Sequence, residues 1–531
     1  MSPKQLAAGV VMAAALVCAP NDRPPAAGRI EGRTAAASRL DAGSLAPFAL
    51  FGWVSPPADS CNAARVAEYA GAGLSLMLPA WLDAGKRSDN LARLDLAAAN
   101  GLRCLIWDQR FERFMTLDPL SPEGGVLLDS IAADYEQDPG FAGYYLGDEP
   151  PAGEFPLLAS LHAELRARDP AHPAWNDLLP SYAFETFDAW PAYVRAYLDA
   201  TRARVLCYNE YDFLTTGDRG LFVRHLAAAA GIAREYGIPL WTIVQLIPHG
   251  AYRALTEGEM RWQVAHALAY GARGVGYFTY WTPAPDPAFN WHDGIIDRNA
   301  RPSPWYAFLA TLNPRVAATG RALADLTWLA TVHAGSVPTG GTAWAPDGWI
   351  AGVQGRAALG EFTNALGARF LLVANSDSAA AQSLALTFAG ATPVERLSDD
   401  GAGWTTLDTT HVVAGTRVAL APASGDFLLL RVGGEAGPLR AGSGPGLSLQ
   451  PNPAAGRVEF ALGHVRRRGH IEILDASGRR IWSRTLAPGS SIVPWDGTMD
   501  AGGLATPGIY FARAEDSGGV SASRLSWLGG R

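Results

Sequence analysis

Lysine is nearly missing from this chain. Of 531 residues only Lys4 and Lys86 carry it, and almost every cation is arginine. A Schiff-base aldolase barrel needs a lysine at a strand end, and Lys86 falls in a loop after the second apolar run. Abundant alanine accompanies the arginine bias, so base composition accounts for both and the arginine count carries no functional weight. Cysteine is equally scarce. Cys18, Cys61, Cys104 and Cys207 are irregularly spaced and make neither a disulfide framework nor a zinc set. Cys104 and Cys207 lie in apolar runs and read as small core residues. Positive charge is not in surplus. The net charge is −8, which argues against nucleic acid or an anionic membrane as a partner. The sequence has no G-x-S-x-G elbow and no phosphate loop. His249 and the His292–Asp293 pair lack metal-ligand spacing, so neither metal nor cofactor is expected.

Long hydrophobic runs are absent too. The apolar stretch from Leu6 to Val17 follows a single lysine, is short for a bilayer, and fits a secretory signal peptide over residues 1–20. Cys18 stands where a lipoprotein cysteine could, although Val17 precedes it in place of a small residue. Residues 21–45 read as a flexible lead-in.

Eight short apolar runs follow: FALFGWV (48–54), LSLMLPAW (74–81), LRCLIWD (102–108), FAGYYLG (141–147), PAWNDL (173–178), ARVLCYNEY (203–211), IPLWTIVQL (238–246) and RGVGYFTYW (273–281). Each is too short for an ordinary helix, and several are rich in aromatic or β-branched residues. Amphipathic segments at 62–73, 90–101, 156–169, 221–237 and 258–272 lie between them, several closed by Gly or Asn-Gly. Eight such units predict a (β/α)8 barrel over residues 46–326. A doubly wound sheet is the alternative, but WVSPPADS follows the first strand where that fold would carry a Gly-rich loop. From 327 to 432 the texture becomes short strands with Gly/Asp/Ser turns, which predicts a β-sandwich. Residues 433–446 are a linker by composition, and 447–531 a third, all-β domain.

In such a barrel the chemistry gathers at the C-terminal strand ends. Those ends offer Trp53, Asp108, Asp148, Glu149, Asn176, Asp177, Tyr208, Asn209, Glu210, Asp212, Gln245, His249, Tyr280 and Trp281. Aromatic faces for sugar C–H groups, with amides and carboxylates for hydroxyls, suit a carbohydrate ligand. Glycoside hydrolysis needs two carboxyl groups flanking the bond, one of them protonated. In GYYLGDEP (143–150), Glu149 ends an apolar strand beside Asp148, the setting that raises a carboxyl pKa.

The stretches GYYLGDEP, ARDPAHPAWNDLLPSY (167–182), GARGVGYFTYWTP (271–283) and DGIIDRNARPSPWYAFLATLN (293–313) resemble TIM-barrel glycoside hydrolases of the β-galactosidase-like and cellulase-like kind. The resemblance implies Glu149 as acid/base. It departs at strand seven, where TIVQLIPHG carries Gln245 in place of the nucleophilic Glu of the largest retaining group. Glu210 is the candidate second carboxylate, with Asp108 and Asp212 in reserve. Trp53, Asp108, Asp148, Asn176, Tyr208, Gln245 and Trp281 are expected to shape the sugar site. The rival reading is a non-catalytic carbohydrate-binding or cell-surface protein on a lapsed barrel. The phrases LQPNP, IEILDASGRRIWS, VPWDG and PGIYFARAE in the last 85 residues resemble FlgD-type immunoglobulin-like modules and the related sorting domains of type IX secretion. They imply a secreted or cell-surface protein that engages secretion machinery or the cell surface.

Overall fold

The computed structural model describes residues 47–79, 85–364, 367–433, 447–450, 454–462, 469–475, 479–487, 492–516 and 519–530. The expected signal peptide, lead-in, Cys18, Trp81 and nearly all of the linker lie outside the described residues.

All eight apolar runs form strands: β1 (Ala49–Gly52), β2 (Leu76–Met77), β3 (Arg103–Ile106), β4 (Phe141–Asp148), β5 (Ala174–Asp177), β6 (Leu206–Glu210), β7 (Leu240–Gln245) and β8 (Gly274–Phe278). They make one parallel sheet in the order β5-β4-β3-β2-β1-β8-β7-β6. A bridge from Leu178 to Tyr208 spans the gap between β5 and β6, so the sheet is a nearly closed barrel.

The expected helices appear as α1 (Ala63–Gly71), α2 (Arg87–Ala99), α4 (Phe155–Arg168), α6 (Phe222–Tyr236) and α7 (Glu257–Ala269). Two more, α3 (Pro122–Tyr135) and α5 (Ala189–Thr201), were not among the periodic segments, and α8 (Pro304–Ala324) follows β8. The first turn of α3 contains Gly124 and Gly125, which dilute its periodicity, yet Ser121 caps it by accepting from the Gly124 N–H at 3.0 Å. Thr256 and Glu259 close a reciprocal capping box on α7. Gly237 ends α6 in the left-handed conformation, φ 68°.

Aromatic rings fill the barrel axis. Phe51 meets Trp241 at 5.5 Å, and Trp175 meets both Tyr145 at 5.4 Å and Trp241 at 6.2 Å. Gly274 and Gly276 of β8 make room for them, since a Cβ there would sit 2.6 Å from Trp241 and 2.3 Å from Phe51. These contacts fix the phase of the strands. Phe51, Tyr145, Trp175, Trp241 and Phe278 face inward, and their sequence neighbours face the helices.

Residues 327–432 add two sheets, one of seven strands and one of four. They dock on α7 and α8 through Tyr270 Oη–His333 Nε2 at 2.9 Å, Thr331 Oγ1 donating to the Ala269 carbonyl at 2.7 Å, and an Arg315–Asp426 ion pair. The last region forms a separate compact unit. It has a three-stranded and a four-stranded antiparallel sheet around Phe460, Trp482, Trp495 and Trp527.

Candidate active site

The end of β4 is shaped by a bulge. Tyr145 pairs with Trp175 and Asp148 with Asp177, with a register shift between. Gly147 takes φ 124° there, a conformation that a side chain would resist. Its carbonyl accepts from Asn176 Nδ2 at 2.9 Å. Glu149 itself is left-handed, φ 46°, at a cost of about 1 kcal/mol or more for a residue with a Cβ. Two contacts hold it so: its N–H donates to the Asp177 carbonyl at 2.9 Å, and Tyr193 Oη donates to the Pro150 carbonyl at 2.7 Å. The strand thus ends in a clamped turn that aims Glu149 back over the barrel.

Glu149 meets β5 and β6 there. Asn209 Nδ2 donates to Glu149 Oε1 at 2.6 Å and to Asp177 Oδ2 at 3.1 Å. Because one nitrogen serves both, those carboxylate oxygens lie within about 6 Å of each other, the span of a glycosidase carboxyl pair. Glu149 and Asp177 are buried, while Asp148 is open to solvent in the barrel mouth. Among the described residues no arginine or lysine forms an ion pair with any of the three. Burial pushes the Glu149 carboxyl well above its usual range, and the charges of Asp148 and Asp177 add to that push against the opposing Asn209 hydrogen bond. Burial and Asp148 likewise raise Asp177. Desolvation by the barrel wall pushes Asp148 up to about 7, a shift that solvent at its open side screens. A proton therefore resides on this cluster near neutral pH.

Aromatic rings wall the cluster. Burial, then the charges of Asp177, Glu149 and Asp148, push the Tyr211 phenol above its range, which places it beside them. Tyr211 packs on Phe278 at 5.2 Å and on Tyr252 at 5.6 Å. His249 stacks on Trp291 at 4.8 Å, and burial lowers its pKa to about 4, leaving the ring neutral. The Arg219 guanidinium lies 4.3 Å from the Tyr182 ring and donates to Tyr252 Oη at 3.1 Å.

The remaining expected site residues divide by strand face. Trp53 faces inward, 6.1 Å from Tyr145 and 6.3 Å from Trp175. Gln245 occupies the strand-seven position, but its amide is fully engaged. Its Oε1 accepts from the Phe213 N–H at 3.1 Å, and its Nε2 donates to the Phe213 and Arg253 carbonyls, each at 3.1 Å. It holds loops and presents no free group to a sugar. Trp281 is half-buried, bridged through its backbone to Ile296.

Asn176, Tyr208, Asp108 and Glu210 face the helical layer, which corrects the expectation that they line the sugar site. Asn176 Oδ1 meets Tyr197 Oη at 3.0 Å and His162 Nε2 at 3.2 Å. Tyr208 packs on Trp190 of α5 at 5.3 Å. Asp108 is paired with Arg110 at 2.7 Å and with Tyr135 Oη at 2.5 Å. Glu210 is fully buried on the face opposite Asn209, 3.1 Å from His225 Nδ1. His225 in turn meets Ser181 Oγ, and burial lowers its pKa to about 3. Asp212 Oδ1 and Oδ2 accept from the Leu221 and Gly220 N–H groups, each at 2.9 Å, at the start of α6.

Asn209 and Asp177 take the inward positions one residue along from those expected. Tyr211, Tyr252 and Trp291 were not anticipated; the alternation from Trp175 and Asn209 would have marked Tyr211, whereas Tyr252 and Trp291 sit in loops without periodicity. Among the described residues no group of three His, Cys, Asp or Glu side chains could hold a metal ion.

No family model matches the chain, and no curated protein does. Solved glycoside hydrolases do. A family 5 glycoside hydrolase from Bacteroides vulgatus aligns at 14% identity and TM-score 0.47, covering 73% of this chain and 89% of that one. Another structure, titled glycoside hydrolase, aligns at 12% identity and TM-score 0.46, covering 73% and 93%. The β-galactosidase of the psychrophilic Marinomonas ef1 aligns at 13% identity and TM-score 0.40 over 54% of this chain and 63% of that one, so the chain spans less than two thirds of that enzyme. At such scores these likenesses assign no residue a role, and the chemistry rests on the site's own geometry.

Proposed function

We propose that the barrel is a glycoside hydrolase cleaving O-glycosidic bonds of poly- or oligosaccharides, with Glu149 as general acid/base and Asp177 as the second carboxylate. The observation that carries this reading is the sharing of Asn209 Nδ2 by Glu149 and Asp177, in a cluster without a cation. Their separation favours the short spacing of a retaining mechanism. Asp177 attacks the anomeric carbon while Glu149 protonates the leaving oxygen; Glu149 then deprotonates the water that releases the sugar. Burial, with the charge of Asp148, keeps Glu149 protonated in the resting state, and Tyr211, Tyr252 and Trp53 supply ring faces.

Turnover is sought on a panel of aryl glycosides and polysaccharides, with Glu149→Gln as the control. Activity in the wild type and its loss in the variant support the assignment. Unchanged turnover in the variant removes it.

The second reading, a non-catalytic carbohydrate-binding or surface protein, is favoured by Gln245, whose amide is tied to the Phe213 and Arg253 backbone. Saccharide binding without turnover by any panel member would select it. We further read the chain as secreted or displayed at the cell surface, with residues 1–20 as signal peptide. The residues after about 447 are read as a FlgD-type immunoglobulin-like or sorting module engaging secretion machinery or the cell surface. The motifs of that region support this reading, as does its antiparallel two-sheet form.

A further inference from the structure

The other end of the barrel carries the opposite charge. Where the chain enters β5 and β6, far from the strand ends that hold Glu149, a shallow recess opens to solvent. Arg166, His172, Pro173, Arg202 and Arg204 line it. Each guanidinium is permanently charged, and among the described residues none of these three arginines pairs with a carboxylate. The nearby acids are engaged elsewhere: Asp169 with His172 and with Tyr144 Oη, Glu164 and Asp129 with Arg168, and Glu235 with Arg195.

The backbone fixes the arrangement. Arg204 Nη1 donates to the Pro170 carbonyl at 2.6 Å, and Arg166 Nη1 to the Thr201 and Arg202 carbonyls, each at 3.4 Å. These bonds orient two guanidiniums and leave their other N–H groups without a partner among the described residues. Arg202 sits in the left-handed conformation, φ 55°, at the end of α5, and its guanidinium has no hydrogen-bond partner among the described residues. Burial and the charges of Arg204 and Arg202 hold Arg166 below its usual range, so Arg166 feels both neighbours. Like charges gathered around a shallow concave surface, with donors to spare and the adjoining Asp169 carboxylate already taken up by His172 and Tyr144, are the chemistry of an anion site.

We propose that the Arg166–Arg202–Arg204 recess binds a tetrahedral oxyanion of the sulfate or phosphate type. The site lies apart from the acidic cluster and does not depend on the glycosidase reading.

The test uses the full chain. Thermal unfolding and titration calorimetry are followed with sodium sulfate, sodium phosphate and sodium chloride at matched ionic strength, and with a sulfated and a phosphorylated monosaccharide. Saturable stabilisation by sulfate and phosphate, absent with chloride, is expected. Arg202→Gln should weaken the anion about tenfold or more, while its melting temperature in chloride stays level or rises, because a like charge is gone. Arg204→Gln should weaken the anion likewise, and Arg195→Gln, outside the recess, should behave as wild type. Tighter binding of an ester than of the free anion would support a sugar substituent as ligand, and equal binding an inorganic one. Identical sulfate responses in wild type and Arg202→Gln, or a response that rises without saturating as in general salting, would overturn the site.

Discussion

Asp108 and Glu149 both stand at the C-terminal ends of neighbouring strands and both are buried, yet the barrel treats them in opposite ways. Asp108 is neutralised on every side. Its Oδ1 accepts from the Arg110 N–H at 2.8 Å and Nε at 2.9 Å, and its Oδ2 accepts from Arg110 Nη2 and Tyr135 Oη. Glu149 has one amide donor and two carboxyl neighbours. Buried Asp177 shares that donor and leaves its Oδ1 without a hydrogen-bond partner. A carboxylate that the fold has paired holds structure together. A cluster denied a cation keeps a proton and stays available for chemistry.

Mutations can break this contrast or sharpen it. The largest effect is expected at Glu149. Glu149→Gln should lower kcat/KM about a thousandfold on whichever glycoside the wild type turns over. Because the resting Glu149 already carries the proton, the neutral amide replaces a neutral acid and the melting temperature should hold. Asp108→Ala should do the reverse, costing about 3 kcal/mol by taking the buried acceptor from Tyr135 Oη and from Arg110, which keeps only Asp134 as a carboxylate partner. The folded fraction should keep near-normal specific activity, as denaturant titration and active-site assays would show.

Gln245→Glu comes next. A carboxylate there would face the Phe213 and Arg253 carbonyls that the amide now satisfies. A loss of about 2 kcal/mol is expected, with no gain in turnover. A gain in rate would mean that strand seven is a dormant nucleophile position.

The smallest effect is a slope, small because Asp148 is exposed and solvent screens the shift. The folded Asp148 carboxyl is pushed up to about 7, against an ordinary value of 3.8. Across that window the folded state holds the proton and the unfolded chain does not. The contribution is therefore complete below about pH 4 and lost as pH rises through about 7. Asp148→Asn should flatten the fall in stability between those values, measured by chemical denaturation at each pH.

The barrel was legible because its signals are long and repeated: eight apolar runs became eight strands in their expected order. Glu149 was legible for a similar reason, since the apolar strand, the acidic pair and the proline all marked one strand end. The inward neighbours were not. Asn176, Tyr208, Glu210 and Asp108 are each one residue from a position that faces the axis, namely Asp177 or Trp175, Asn209 and Trp107. A strand's side chains alternate with period two, so a phase error of one residue turns the whole set around. In a parallel barrel strand both faces are covered, and a run such as PAWNDL or VLCYNEY carries no polar stripe to set the phase. The phase is set by packing across the axis, Trp175 on Trp241 and Phe51 on Trp241, between residues far apart in sequence. Helices α3 and α5 escaped for a local reason. Gly124 and Gly125 open the first, Pro191 sits in the first turn of the second, and tertiary contacts supply what propensity lacks.

The central claim is that Asp177, and not Glu210, is the second carboxylate. Chemical rescue tests it most directly. Asp177→Ala and Glu210→Ala are each assayed on an activated aryl glycoside with and without azide. A small anion can take the place of a deleted nucleophile and attack the anomeric carbon. The account predicts that Asp177→Ala loses turnover, that azide restores it, and that the product is a glycosyl azide of inverted anomeric configuration. Glu210→Ala should lose stability, with the folded fraction still active. Full turnover by Asp177→Ala, with azide rescue appearing instead in Glu210→Ala, would contradict it.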